Sequence, residues 1–163
     1  MQILFVPMAD ADIELMLPLF NSYVRDTTAT LYEEDVDVET MRKLLFPTPE
    51  KFGSWKIVID GKPVGYASLA PYRPREAYGN TAEVTVYLDP SWPGKGVGTQ
   101  ALAFVEYRAR ERAFHSLVAS ICAENAASLH TFQKQGYHEV ARFAEAAHKF
   151  GRYLDVVWMQ KHL

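Results

Sequence analysis

The chain of 163 residues is poor in cysteine: Cys122 is the only one. No disulfide can therefore close within it, and a reducing, cytoplasmic setting is expected. It also lacks a basic excess. Seventeen Lys and Arg against twenty Asp and Glu give a net charge of −3, which removes the broad positive field that nucleic acid requires. No apolar run reaches about 18 residues, so no membrane partner is expected. Met1 to Val6 has neither the basic flank nor the length of a signal peptide. The histidines show no ligand spacing, and one cysteine makes no zinc set, so no metal is expected. Internal repeats, low-complexity tracts and linkers are absent as well. What is present is 48% hydrophobic and 13% aromatic residues, the composition of a folded globule, read as a single domain over 1–163.

The most informative stretch runs from Thr81 to Val105. Thr81 to Leu88 is rich in β-branched residues and reads as a strand, then Asp89-Pro90-Ser91-Trp92-Pro93 as a turn. Gly94-Lys95-Gly96-Val97-Gly98-Thr99 follows, and behind it Val97, Ala101, Leu102, Val105 and Ala109 make one apolar helical stripe. Glycines let backbone N–H groups point into open space, and the helix start adds roughly half a positive charge. This is an anion site suited to a pyrophosphate. Neither the P-loop order nor the dinucleotide Gly-x-Gly-x-x-Gly pattern fits it, since Ala101 stands where a third glycine belongs.

The remaining chain alternates helix and strand signals. Ile3 to Val6 reads as a strand; Asp10 reads as an N-cap for a helix carrying Ile13, Leu17 and Phe20, with an irregularity expected at Pro18. Asp26 to Tyr32 is a polar loop, and a second helix runs from about Asp37 or Val38 to Leu45. Trp55 to Ile59 and Val64 to Ala70 form a hairpin around Asp60-Gly61. Arg108, Arg110 and Arg112 suit a helix end facing solvent. Leu117 to Cys122 is a buried strand, Asn125 to Gln135 a helix closed by Gly136, and Tyr137 to Ala144 and Tyr153 to Met159 the last two strands. The fold class is mixed α/β.

The order strand, Gly-Lys-Gly-Val-Gly, helix, strand, Asn125-Ala126-Ala127-Ser128, helix, Gly136-Tyr137 resembles the GCN5-related N-acetyltransferases (GNAT). Pro71 to Tyr78, Glu83 to Leu88 and Lys149 to Val156 further resemble the phosphinothricin and methionine sulfone acetyltransferase branch. The likeness covers nearly the whole chain. It implies one splayed, mostly antiparallel sheet flanked by helices, with acetyl-CoA in the gap where two strands diverge. It also implies that backbone groups of Val86 and Leu88 meet the pantetheine arm and that Gly94, Lys95, Gly96, Val97, Gly98 and Thr99 hold the pyrophosphate. A homodimer and a small-molecule amine acceptor are implied too.

Acetyl transfer to an amine needs a base, because an ammonium has no lone pair. In a strand of period two, Glu83, Thr85 and Tyr87 share one face. Glu83 can take the proton directly or through a water, or it can be a structural ion-pair partner of Arg73 or Arg75. Arg73 and Arg75 flank Pro74 and suit a carboxylate or phosphinate, or are two solvated arginines. Thr28 and Tyr32 line the same cleft or belong to an ordinary polar loop. Lys95 reinforces the phosphate site or is solvated, and Asn125 meets the cofactor or caps its helix with Ser128. Lys149, Phe150 and Tyr153 shape the acceptor pocket or form a plain hairpin turn, and His130 is a weak candidate acid.

Three departures from the family pattern stand out. Pro93 occupies the first position of the glycine loop and has no N–H to donate. Phe132 stands where relatives carry Tyr or His, so it cannot protonate a thiolate; a thiol pKa near ~8.5 makes that help dispensable. No aromatic lies at Asn80, which leaves the acceptor open. An α-amino acid analogue such as phosphinothricin or methionine sulfone is the first expectation. The alternatives are a polyamine, an antibiotic, a protein N-terminus, or a non-catalytic acyl-CoA sensor.

Overall fold

A computed structural model describes residues 1–92 and 94–163; Pro93 and the expectation attached to it lie outside the described residues. Among the described residues seven strands form one sheet, in the order β1-β2-β3-β4-β5-β7-β6. They are β1 (Ile3–Pro7), β2 (Gly53–Ile59), β3 (Lys62–Pro71), β4 (Thr81–Leu88), β5 (Ser116–Cys122), β6 (His138–Lys149) and β7 (Arg152–His162). Every neighbouring pair is antiparallel except β4 and β5, which run parallel. The helices are α1 (Ile13–Asp26), α2 (Val38–Leu45), α3 (Val97–Glu111) and α4 (Ala126–Lys134). None of them is long and apolar enough to cross a membrane.

Two apolar clusters cover the two sheet faces. One packs α3 and Phe132 of α4 against Ile57, Leu69, Ala82, Val84, Leu117 and Met159. The other packs Ile13, Met16, Phe20 and Val24 of α1 and Met41 and Leu45 of α2 around Tyr66. Fully burying each such side chain stabilises the fold by about 1.5–3 kcal/mol. That burial explains Pro18. It removes one helical hydrogen bond at a cost of about 3 kcal/mol, yet α1 continues through it, because four anchored side chains outweigh the loss.

Local signals and tertiary demands diverge at a few places. Asp10 is not the cap of α1: Asp10–Asp12 form a short 3-10 turn ahead of it. Asp12 accepts instead from the Ala9 N–H and pairs with Lys56 at 2.5 Å. Asp37 does cap α2, its Oδ1 accepting from the Thr40 N–H at 2.7 Å. Gly136, at φ +86°, follows α4 as expected. The final hairpin is longer than its apolar pattern, because β6 is an exposed edge strand with little apolar alternation to read.

Candidate active site

The site begins where the sheet comes apart. β4 pairs with β5 only at Thr81–Ser116, Ala82–Leu117 and Glu83–Val118. Beyond Glu83 the two strands have no mutual pairing, so the rest of β4 presents an open edge to a cleft. Alternation within β4 follows the sequence: Ala82 and Val84 enter the α3 core, and Tyr87 packs toward α1. Two cavities fill the gap and share Val86, Asn125, Ser128 and Phe132.

The larger cavity, about 450 Å³, lies against Val86, Leu88 and the segment from Gly94 to Thr99. Gly94 and Gly96 adopt φ of +69° and +72°, and a Cβ on either would meet open space. A left-handed φ is what turns successive N–H groups outward here, and side chains rarely adopt it. Gly96 directly precedes α3, whose start has no side-chain cap and no acidic residue in its first turn. Unsatisfied donors with a favourable dipole and no competing carboxylate fit a diphosphate. Lys95 lies over the Trp92 ring, its Nζ 4.3 Å from the centroid, so it is stacked at the rim. Asn125 keeps both readings: its Oδ1 accepts from the Ser128 N–H at 3.2 Å, and the residue lines both cavities.

The smaller cavity, about 250 Å³, is bounded by Glu83, Thr85, Tyr87, Ser120 and the Ala29–Leu31 segment. Burial pushes the Glu83 carboxyl above its ordinary value, and the charge of Arg73 partly offsets this. Tyr87 is pushed up to about 12, chiefly by burial. A Glu83 carboxylate is therefore a stronger proton acceptor than a solvated one, on the wall of the smaller cavity.

The loop over this cavity is held from far along the chain. Lys149, almost wholly buried, donates to the carbonyls of Thr27 (2.7 Å) and Thr30 (2.8 Å). Thr28 donates to Glu124 Oε1 at 2.6 Å. Glu124 receives both Nη atoms of Arg152, which holds its carboxyl down at about 2. Thr28 and Lys149 thus clasp the loop rather than line the cavity. Several other candidates also stand outside both cavity walls. Arg73 is exposed and stacks on Tyr72 at 5.2 Å. Arg75 is exposed, Tyr32 packs edge-on to Phe20, and Phe150 projects from the β6–β7 turn. His130 is exposed away from both cavities.

Tyr23 and Trp158 contribute beside the residues that the sequence singled out. Tyr23 of α1 lines the larger cavity and donates its hydroxyl to the Leu88 carbonyl at 2.5 Å. One lone pair of that carbonyl is thus taken before any ligand arrives. Tyr72 packs edge-on to Trp158 at 5.6 Å and to Tyr78 at 5.5 Å, an aromatic wall beside Arg73. The spacing of Tyr23 three residues after Phe20 on α1 is the one local signal that could have found it. Tyr137, by contrast, is buried against Phe132 at 4.9 Å and faces Glu106 and Lys161, away from the cleft.

The sequence profile of the Acetyltransferase (GNAT) family matches residues 16–137. The L-methionine sulfoximine/L-methionine sulfone acetyltransferase of Pseudomonas aeruginosa is 35% identical, over 94% of this chain and 90% of its own. The phosphinothricin N-acetyltransferase of Streptomyces coelicolor is 32% identical over 96% and 94%. Among solved structures, ribosomal-protein-alanine N-acetyltransferase from Brucella melitensis superposes with a TM-score of 0.89 at 35% identity, covering 98% and 99%. The yncA protein of Salmonella typhimurium, solved with its cofactor acetyl-CoA, gives 0.87 at 29% identity, covering 99% and 94%. With a sheet that parts beside a glycine-led helix and a profile match over most of its length, this chain belongs to the GNAT family of N-acetyltransferases.

Proposed function

We propose that residues 1–163 act as one acetyl-CoA-dependent N-acetyltransferase domain whose acceptor is a small α-amino acid analogue of the phosphinothricin or methionine sulfone kind. The carrying observation is the position of Glu83, at the last β4–β5 pair and on the wall of a cavity that shares four lining residues with the glycine-loop cavity. The names of the Pseudomonas and Streptomyces relatives support the acceptor class. Acetyl-CoA supplies the acetyl group as a thioester, whose thiol pKa near ~8.5 lets the thiolate leave unaided.

Each group of this chain then has a distinct task. The N–H groups from Gly94 to Thr99 and Lys95 receive the diphosphate. The open edge of Val86 and Leu88 receives the pantetheine arm, with Tyr23 fixing the Leu88 carbonyl. Glu83 takes the proton from the acceptor ammonium, directly or through a water, and so frees the lone pair for attack. Thr85 and Tyr87 flank it, while Arg73, beside the aromatic wall of Tyr72 and Trp158, faces the acidic group together with Arg75. Lys149 and Thr28 keep the roof loop in place; Tyr32 and Phe150 border it from outside. The single cysteine supports a cytoplasmic setting and the exposed β6 face a homodimer.

A second reading has one supporting observation, the Brucella structure named for a ribosomal-protein alanine acceptor. A cavity of about 250 Å³ under a clasped loop suits an amino acid better than an extended chain end. The deciding experiment is a mass-shift screen with acetyl-CoA over methionine sulfone, phosphinothricin, spermidine and an alanine-led peptide. Acetylation of the first two is expected, and Glu83→Gln should slow it roughly 100-fold or more with coenzyme affinity unchanged. Equal rates for wild type and Glu83→Gln remove Glu83 from its role, and exclusive peptide acetylation replaces the acceptor.

A further inference from the structure

β4 is held from both sides at Leu88. Asp89 donates its N–H to the Val64 carbonyl at 2.7 Å, so pairing with β3 falls on Asp89 and, two residues back, on Tyr87. Leu88 between them turns its own N–H and C=O toward the open edge. Behind it, Gly65 lies so close that a Cβ there would collide with the Tyr87 carbonyl oxygen, so β4 cannot retreat toward β3. In front, Tyr23 of α1 covers the Leu88 carbonyl, donating to it at 2.5 Å. Tyr23 and Leu88 both line the larger cavity, and neither lines the smaller one.

The Tyr23 ring is held in place. It packs edge-on to Tyr87 with centroids 5.2 Å apart, and Tyr87 is itself edge-on to Phe20, one turn earlier on α1, at 5.3 Å. Phe20 and Val24, the neighbours of Tyr23 on α1, are buried. A phenol has one hydrogen to donate and lone pairs with which to accept. The hydrogen is committed to Leu88, and a hydroxyl that donates to a carbonyl becomes the stronger acceptor. Two other acceptors on this wall are already engaged. Asn125 Oδ1 accepts from the Ser128 N–H, and Asp89 Oδ1 from the N–H and hydroxyl of Ser91.

We propose that the Tyr23 hydroxyl oxygen, standing on the Leu88 carbonyl, accepts an N–H from the pantetheine arm of coenzyme A, from the amide farther from the sulfur. This rests on the larger cavity being the coenzyme site, and it changes what the Leu88 backbone does there. The Leu88 N–H stays open to a carbonyl of the arm, while its C=O is reached through a side chain of α1. The choice of amide follows from order along β4. Glu83 and Thr85 line the smaller cavity, Val86 is shared by both, and Leu88 belongs to the larger cavity alone, on the way to the glycine segment.

Tyr23→Phe keeps the ring against Tyr87 and removes only the oxygen. Calorimetry of the whole protein with coenzyme A should show binding about fivefold weaker in the variant. Adenosine 3′-phosphate 5′-diphosphate has the diphosphate but no arm. It should bind both proteins equally, which reports an intact fold and glycine segment. A coenzyme A analogue with a methylene in place of that amide N–H should bind wild type about fivefold more weakly than coenzyme A does, with no further loss in the variant. In turnover, the acetyl-CoA KM should rise by the same factor with kcat and the amine KM unchanged. Failure of coenzyme A to bind wild type removes the coenzyme site and this contact with it. Equal coenzyme A affinity in wild type and Tyr23→Phe, a loss shared by the arm-free diphosphate, or a further loss of the methylene analogue in the variant each overturns the Tyr23 contact alone.

Discussion

Glu83 is a residue whose chemistry and stability pull in opposite directions. Its carboxyl is raised above its ordinary value because burial disfavours the charged form. A folded-state value above the unfolded one means the native fold prefers the protonated acid. Stability from that preference is complete below the unfolded value and is lost as pH rises through the folded one. At neutral pH the ionised carboxylate is therefore a cost to the fold and, in the role proposed for Glu83, an asset to proton transfer. Glu83→Gln should raise the melting temperature at pH 7 while it lowers turnover, and the stability gain should shrink toward pH 4. Thermal unfolding across that range checks it; a variant no more stable than wild type at pH 7 contradicts the burial argument. Arg73 pulls the other way, so Arg73→Gln should move the acid limb of the kcat/KM profile to higher pH. An unmoved limb would mean that Arg73 does not act on Glu83.

Among elements, the contrast is between those made by neighbours in sequence and those made by distant segments. β4, the glycine turn and α3 are contiguous. Period-two alternation, left-handed glycines and a helical stripe therefore placed Glu83, Val86, Leu88 and the Gly94–Thr99 segment from sequence, and the structure keeps that placement. The roof of the smaller cavity was not legible. It depends on Lys149 reaching Thr27 across 122 positions and on Thr28 reaching Glu124 across 96, and no local pattern marks a lysine that will be buried against carbonyls. The arginines at the end of α3 escaped for the same reason. They read as a solvated helix end, yet two of them lie over Trp55, more than fifty positions upstream. The clasp has a measurable worth. Lys149→Met removes two charge-assisted hydrogen bonds and should cost about 2–3 kcal/mol. It should also speed amide exchange over 27–32 and raise the amine KM, with acetyl-CoA affinity unchanged. Unaltered exchange in that loop would show the clasp to be incidental.

At the scale of the whole molecule, the sheet has one covered flank and one bare one. β1 packs Phe5 flat on Phe104 of α3, with ring centroids 4.3 Å apart. β6, at the other edge, is twelve residues long and almost entirely exposed. Val140, Phe143, Phe150 and Tyr153 stand out from the β6–β7 hairpin, each more than half exposed. A long edge with an apolar surface is what folded proteins ordinarily cover or charge, because it invites pairing. A second copy of the chain is the simplest cover, and the hairpin turn that would be ordered by it also carries Lys149 and Arg152, the two cations of the roof clasp. Oligomerisation and acceptor binding should therefore be linked. Light scattering behind a sizing column should give twice the chain mass for wild type and the single-chain mass for Phe143→Glu. The variant should retain acetyl-CoA binding through the distant glycine loop but show a raised amine KM. A wild type that runs as a monomer at micromolar concentration, or a monomeric Phe143→Glu with unchanged KM, breaks the link between the bare edge and the site.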